Sequence, residues 1–217
     1  MKILGLDSSG LVASVAIVED NDLKGEYTVN YKKTHSQTLL PMLDEVAKMI
    51  ELDLNSIDAI AVSGGPGSFT GLRIGAATGK GIALALDKKM VAVPTLKAMA
   101  YNVDALAYNL AGNRDIICPL MDARRNQTYT GLYRFDGNQM EIIKPQCAVG
   151  IDEIIAEVNK LGQAVVFLGD GVAVFEAYIR ENCTVPYTFA PAHVNKQRAG
   201  AVAALGEIYY TEGKTET

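Results

Sequence analysis

The sequence predicts an α/β protein built twice from one plan. Apolar and alternating runs of strand length are interleaved with helix-length segments carrying an apolar stripe. Their order in the first half, β-β-β-α-β-α-β-α, recurs in the second. In each half the first strand closes on an aspartate, Asp7 and Asp122, and the fourth strand runs into a glycine turn. Two lobes are therefore expected, over residues 1–112 and 113–217.

In the first half, strands are expected over Lys2–Asp7, Val12–Val18 and Gly25–Lys32. A helix follows from Ser36 to Leu52, with Ser36 or Thr38 as N-cap, Pro41 in its first turn, and Leu39, Leu43, Val46 and Ile50 as its apolar stripe. Next come strand Ile57–Val62, a glycine-rich turn, a helix to Leu86, strand Met90–Val93 and a helix from Thr95 to about Leu110. The second half gives strands Ile116–Asp122, Gln127–Phe135 and Met140–Lys144, then helix Asp152–Leu161 capped by Asp152. Strand Ala164–Leu168, the turn Gly169-Asp170-Gly171, helix Val172–Asn182, strand Thr184–Phe189 and helix Asn195–Tyr210 complete it.

A chain of 217 residues with 49% hydrophobic and 21% charged residues can bury a real core. The first carboxylate comes at Asp7, too early for a signal-peptide apolar region, and no run approaches membrane-helix length. Cys118, Cys147 and Cys183 are odd in number and scattered, which argues against a disulfide framework. A cytoplasmic protein is expected. The net charge of −5 and the short, separate basic pairs (Lys88-Lys89, Arg124-Arg125, Lys196 with Arg198) argue against tight RNA binding by this chain alone.

The most specific stretch is Ser63-Gly64-Gly65-Pro66-Gly67-Ser68-Phe69-Thr70-Gly71-Leu72-Arg73-Ile74-Gly75. Strand, glycine turn and helix in that order are the setting of a phosphate site. Yet Gly71 is followed by Leu72 and Arg73 where a P-loop needs Lys and Ser or Thr, and the third glycine of a dinucleotide fingerprint is missing. Two facing halves with an aspartate and a glycine turn each describe the actin-like ATPase (ribonuclease H-like) fold, with a cleft between its lobes. Asp7, Ser8, Ser9, Gly65 and Gly67 are expected to line a degenerate nucleotide cleft, leaving room for weak ATP or ADP binding but no required cofactor. Asp7 has two readings, a group orienting Mg-bound phosphate or a strand-end turn aspartate; Asp122 reads as a local ion-pair partner of Arg124 and Arg125.

Leu6-Asp7-Ser8-Ser9, Thr34-His35-Ser36-Gln37, Leu40-Pro41-Met42, the long glycine motif, Pro94-Thr95-Leu96 and Met121-Asp122-Ala123-Arg124 together resemble the TsaB (YeaZ) family. The resemblance extends over nearly the whole chain, although related chains often carry a Tyr-Leu-Arg segment that this sequence does not show. It implies a non-catalytic subunit of the bacterial machinery forming N6-threonylcarbamoyladenosine at position 37 of tRNA. Its implied partners are a TsaD-like catalytic paralogue and a TsaE-like ATPase, with tRNA met only through the complex and a homodimer formed in isolation.

The paralogue's His-x-x-x-His metal pair is not repeated here: His35 is followed four positions on by Leu39, and His193 lies in the other half. No catalytic residue and no metal ligand is expected. Gly71, Gly75 and Gly79 recur every four residues and form a ridge that lets another backbone come close. That backbone belongs either to the chain's own lobe or to a partner. The docking residues are taken as Leu40, Met42, Gly71, Leu72, Gly75, Thr78 and Gly79. An autonomous ATP-dependent phosphotransferase and a glycoprotease-type metallopeptidase are the alternatives.

Overall fold

The computed structural model describes residues 1–31, 35–103, 115–136 and 139–216. The end of the helix expected to reach Leu110 lies outside them, as does Thr34. The chain forms two compact units, Met1–Ala98 with the segment from Gln197 onward, and Met99–Lys196.

The first unit carries strands β1 (Lys2–Asp7), β2 (Ala13–Glu19), β3 (Asp22–Val29), β4 (Ala59–Ser63) and β5 (Lys89–Val93) in the order β3-β2-β1-β4-β5. β1 pairs antiparallel with β2 and parallel with β4. Helices α1 (His35–Met49) and α2 (Phe69–Leu86) cover one face, burying Leu39, Leu43 and Val46 against Leu4, Val15, Ile17 and Ile60. β1 from Ile3 onward and the whole of β4 are buried, and their middles are apolar, because both of their faces are covered.

The second unit repeats this arrangement. β6 (Ile116–Arg124), β7 (Gln127–Asp136), β8 (Gln139–Gly150), β9 (Val165–Leu168) and β10 (Tyr187–Phe189) lie in the order β8-β7-β6-β9-β10, the same path strand for strand. Helices α4 (Ile151–Leu161) and α5 (Gly171–Asn182) pack Ile154, Ile155, Val158, Phe175 and Ile179 onto Ile116, Cys118 and Phe167. The short α3 (Thr95–Tyr101) precedes this sheet, and its Tyr101 ring stands 5.9 Å from that of Phe135.

The lobe boundaries read from the sequence need one correction. The last helix, α6 (Ala199–Thr211), belongs to the first unit and lies on the face of its sheet opposite α1 and α2. Small residues make that packing close: a Cβ added at Gly5 would come 2.4 Å from the Ala199 carbonyl, and one at Gly206 would come 2.4 Å from Ala61 Cβ. The orphan N–H groups at the start of α6 are satisfied by the same sheet. Ala199 N donates to Ser14 Oγ (2.9 Å) and Gly200 N to Glu26 Oε1 (2.9 Å), while Arg198 Nε donates to Glu26 Oε2 (2.9 Å).

Two helix starts also differ from expectation. α1 begins at His35, so Ser36 and Thr38 lie inside its first turn, and Pro41 falls in the second turn. Gln37 and Pro41 are both exposed, so the missing i→i−4 bond falls on the solvent side. α4 is capped by Gly150, whose N–H donates to Glu153 Oε1 (3.3 Å), and Asp152 sits in the first turn.

Candidate functional site

β1 ends with Asp7, and the chain turns through Ser8, Ser9 and Gly10 beneath the start of α2. Asp7 is 1% exposed. Its Oδ1 accepts from Ser9 N (2.9 Å) and Ser9 Oγ (2.7 Å), and its Oδ2 accepts from Ser63 Oγ at the end of β4. Burial pushes the carboxyl above its ordinary value, and the hydrogen bonds from Ser63 and Ser9 pull the other way. This is a strand-end aspartate fully used by its neighbours.

The glycine motif closes over the same turn. Gly65 has φ +104°, a conformation glycine adopts without strain. Gly64 N donates to Val93 O (2.8 Å), Gly65 N to Thr95 Oγ1 (3.1 Å), Ser68 N to Ser9 O (2.6 Å) and Gly71 N to Ser68 Oγ (3.2 Å). A Cβ at Gly67 would meet Ser9 O at 2.3 Å, and one at Gly71 would meet Ser8 O at 2.0 Å. Ser8 Oγ donates to Gly71 O (2.8 Å). Asp7, Ser8, Ser9, Gly65 and Gly67 are thus brought together. However, what the glycines approach is the Ser8–Ser9 backbone, and four of the motif's N–H donors are satisfied by protein oxygens. A phosphate cradle requires those donors and that space to be open. These residues do not fit such a group.

The docking residues read from the sequence divide. Gly71, Gly75 and Gly79 are buried and turned onto their own sheet: a Cβ at Gly75 would reach Ser8 Oγ at 2.6 Å, and one at Gly79 would reach Val62 Cγ1 at 2.7 Å. Met42 is in the core of the unit. These four are corrected to internal packing, because a helix can sit this low on β1 and β4 only with glycine on the contact ridge. Leu40 is 55% exposed, and Leu72 and Thr78 are half-buried. The outer faces of α1 and α2 add apolar groups that the glycine pattern did not single out: Met49 (82% exposed), Phe69 (68%) and Leu84 (86%). Beside α2 runs a groove of about 710 Å³, lined by Leu72, Ala76, Leu84, Met90, Arg73 and Lys80 among others.

The turn after β9 uses the same device more thinly. Gly169 (φ +105°) and Gly171 lie against Leu120 in the middle of β6. Asp122 holds Arg124, accepting from its N–H at 2.9 Å and forming an ion pair with its Nη1 at 3.3 Å. Asp170 Oδ1 is buried without a hydrogen-bond partner among the described residues, and burial raises that carboxyl above its ordinary value against the pull of Lys196.

A family model described as TsaD, tRNA N6-adenosine threonylcarbamoyltransferase, matches residues 25–213. The chain belongs to that family, on its TsaB (YeaZ) branch. The tRNA threonylcarbamoyladenosine biosynthesis protein TsaB of Bacillus subtilis is 28% identical over 95% of this chain and 87% of its own length. The protein of that name from Haemophilus influenzae is 36% identical over 59% of this chain and 52% of its own length. Among solved structures, YeaZ from Pseudomonas aeruginosa superposes with a TM-score of 0.77 at 24% identity, covering 99% of this chain and 94% of that one. The activator of 2-hydroxyisocaproyl-CoA dehydratase from Clostridium difficile gives 0.52 at 13% identity, over 100% and 99%. These two likenesses, with the repeated strand path, make this a duplicated actin-like fold.

His35 places Nε2 2.9 Å from the Gly10 carbonyl, and its Nδ1 is buried without a hydrogen-bond partner among the described residues. Among the described residues, no group of three or more His, Cys, Asp or Glu side chains is arranged to hold a metal ion. Cys118 is buried beside Thr130 Oγ1 (3.5 Å), and burial pushes its thiol up to about 12, which keeps it protonated and inert. No described helix is long and apolar enough to cross a membrane.

Proposed function

We propose that this chain serves the assembly that forms N6-threonylcarbamoyladenosine on tRNA as a subunit without a reactive centre of its own, docking a TsaD-type transferase through the outer faces of α1 and α2. The role in threonylcarbamoyladenosine biosynthesis follows from the family. The docking role rests mainly on one contrast. The polar groups of the glycine motif are spent inside the unit, whereas Leu40, Met49, Phe69 and Leu84 stand in solvent on two adjacent helices. Exposed apolar side chains of this size on neighbouring helices favour a helical partner face. A paralogue of the same fold offers one, and so does a second copy of this chain when the paralogue is absent. A TsaE-type ATPase joins the pair, and neither nucleotide nor metal is needed by this subunit.

Reconstitution tests this reading. With a TsaD-type transferase, a TsaE-type ATPase, a threonylcarbamoyl donor and tRNA transcript, mass spectrometry of digested tRNA should show the modified nucleoside only when this chain is present. Equal product without it would overturn the proposal. Calorimetry of the isolated chain with Mg-ATP addresses the phosphotransferase alternative, for which micromolar binding with turnover on an acceptor would speak.

A further inference from the structure

The hairpin joining β6 and β7 carries backbone conformations that its two arginines do not favour. Arg124, Arg125 and Asn126 have φ of 69°, 54° and 60° in succession, and none is glycine. Arg124 pairs with Gln127, so Arg125 and Asn126 form a two-residue loop, and the register shifts between Asp122 and Arg124. Positive φ at both loop positions is what a tight hairpin needs, and Asn-Gly or Gly-Gly would supply it with little strain. Arginine supplies it only against the clash of its own Cβ. The hairpin explains the conformation but not the choice of residues.

Two contacts hold the tip in this conformation. Asp122 accepts from Arg124 N at 2.9 Å and lies 3.3 Å from its Nη1, and Ile151 N at the start of α4 donates to Asn126 O (3.4 Å). Even so, the Arg124 side chain is 86% exposed. Arg125 is exposed as well and forms no ion pair among the described residues. In a chain of net charge −5, a strained tip holds two guanidinium groups outward, one of them unpaired.

We infer that Arg125, with Arg124 beside it, is a phosphate-contacting tip that meets the tRNA backbone when the chain sits in its complex. The inference rests on the reading above, because that reading makes RNA the substrate of the assembly. Guanidinium is the group for this task, being permanently charged and forked to match phosphate oxygens. Two such groups do not make a free-standing RNA-binding protein, in keeping with the acidic chain. They add to a surface that the partner supplies, and they position the RNA without reading its sequence.

The test compares wild type, Arg125→Gly and the double variant Arg124→Gly/Arg125→Gly, each assembled with the TsaD-type transferase and titrated with tRNA transcript over a range of salt. Glycine relieves the backbone while removing the charge. Arg125→Gly should therefore melt at the same or a higher temperature than wild type and yet bind tRNA more weakly. The double variant should lose roughly tenfold in affinity, and the slope of log affinity against log salt should flatten by about 1 for each phosphate left without its arginine. Unchanged affinity and slope would overturn the inference. So would a lower melting temperature for Arg125→Gly, which would mean that arginine is no burden to the turn. Loss of transferase binding together with RNA binding would place the tip against protein and overturn it too. Should the wild-type chain fail to assemble with the transferase at all, the proposed function itself falls. Assembly with unaltered RNA binding in the variants sinks only the arginine tip.

Discussion

The turns after β4 and β9 occupy the same place in two sheets of identical strand order, and they are finished differently. After β4, Asp7, Ser8, Ser9, Ser63, Ser68 and Gly71 form one saturated network in which both carboxylate oxygens are used. After β9, the glycines still lie against the neighbouring strand β6, but Asp170 keeps a buried oxygen without a hydrogen-bond partner among the described residues, and Asp122 bonds within its own hairpin. Duplication preserved the path of the chain in both units and the polar closure in one. A glycine turn at a strand end is therefore no evidence of a ligand. What decides is whether its donors and the space above it are free.

The sharpest way to break this comparison is at the glycines. Gly71→Ala sets a methyl group 2.0 Å from the Ser8 carbonyl, and backbone cannot step aside as a side-chain tip can. A loss of about 3 kcal/mol in denaturant unfolding is expected. Gly81, on the exposed side of the same helix, has nothing within 4 Å of an added Cβ. Gly81→Ala should stabilise by roughly 1 kcal/mol through helix propensity alone. Equal effects at the two positions would mean that the ridge does not rest on the sheet.

Removing the carboxylates separates the two networks next. Asp7→Ala strands the hydroxyls of Ser9 and Ser63 in the interior and should cost about 2 kcal/mol. Asp122→Ala breaks a half-solvated turn contact and should cost under about 1 kcal/mol. Thermal melts of the two variants measure the difference, and a larger loss at Asp122 would reverse the assignment of which turn is closed.

The last expected effect concerns pH. Cys118 rises from 9.0 to about 12 in the folded chain. The unfolded thiol ionises first, so the unfolded state binds fewer protons above pH 9, and stability falls as pH rises from 9 toward 12. The slope for this group is about 1.4 kcal/mol per pH unit. Subtracting the profile of Cys118→Ala from that of wild type isolates it, and parallel profiles would show that the thiol is not held neutral.

Much of the architecture was legible because it is local. The element order follows from runs such as Ile57–Val62 and Ala164–Leu168 and from the stripe Leu39, Leu43, Val46, Ile50. The allegiance of α6 was not legible, since it depends on Glu26 and Ser14, more than 170 residues away, and on the fit of Gly206 over Ala61. The glycine ridge announced a close approach without saying to what, and Ser8, 63 residues from Gly71, turned out to be the neighbour. Helix spacing alone gave Met42 to the docking face, whereas Phe69 and Leu84 needed the fold to show them in solvent. The strain at Arg124 and Arg125 left only a double arginine in the sequence.

The central claim is that the outer face of α1 and α2, not the glycine motif, is where this chain acts. The direct measurement is affinity for the TsaD-type transferase, by calorimetry, of wild type and of a Met49→Glu/Leu84→Glu variant whose changes touch only exposed positions. The account predicts a native circular dichroism spectrum with transferase binding weakened at least about a hundredfold, the cost of two charged groups placed in an apolar contact. Undiminished binding by a folded variant would contradict it.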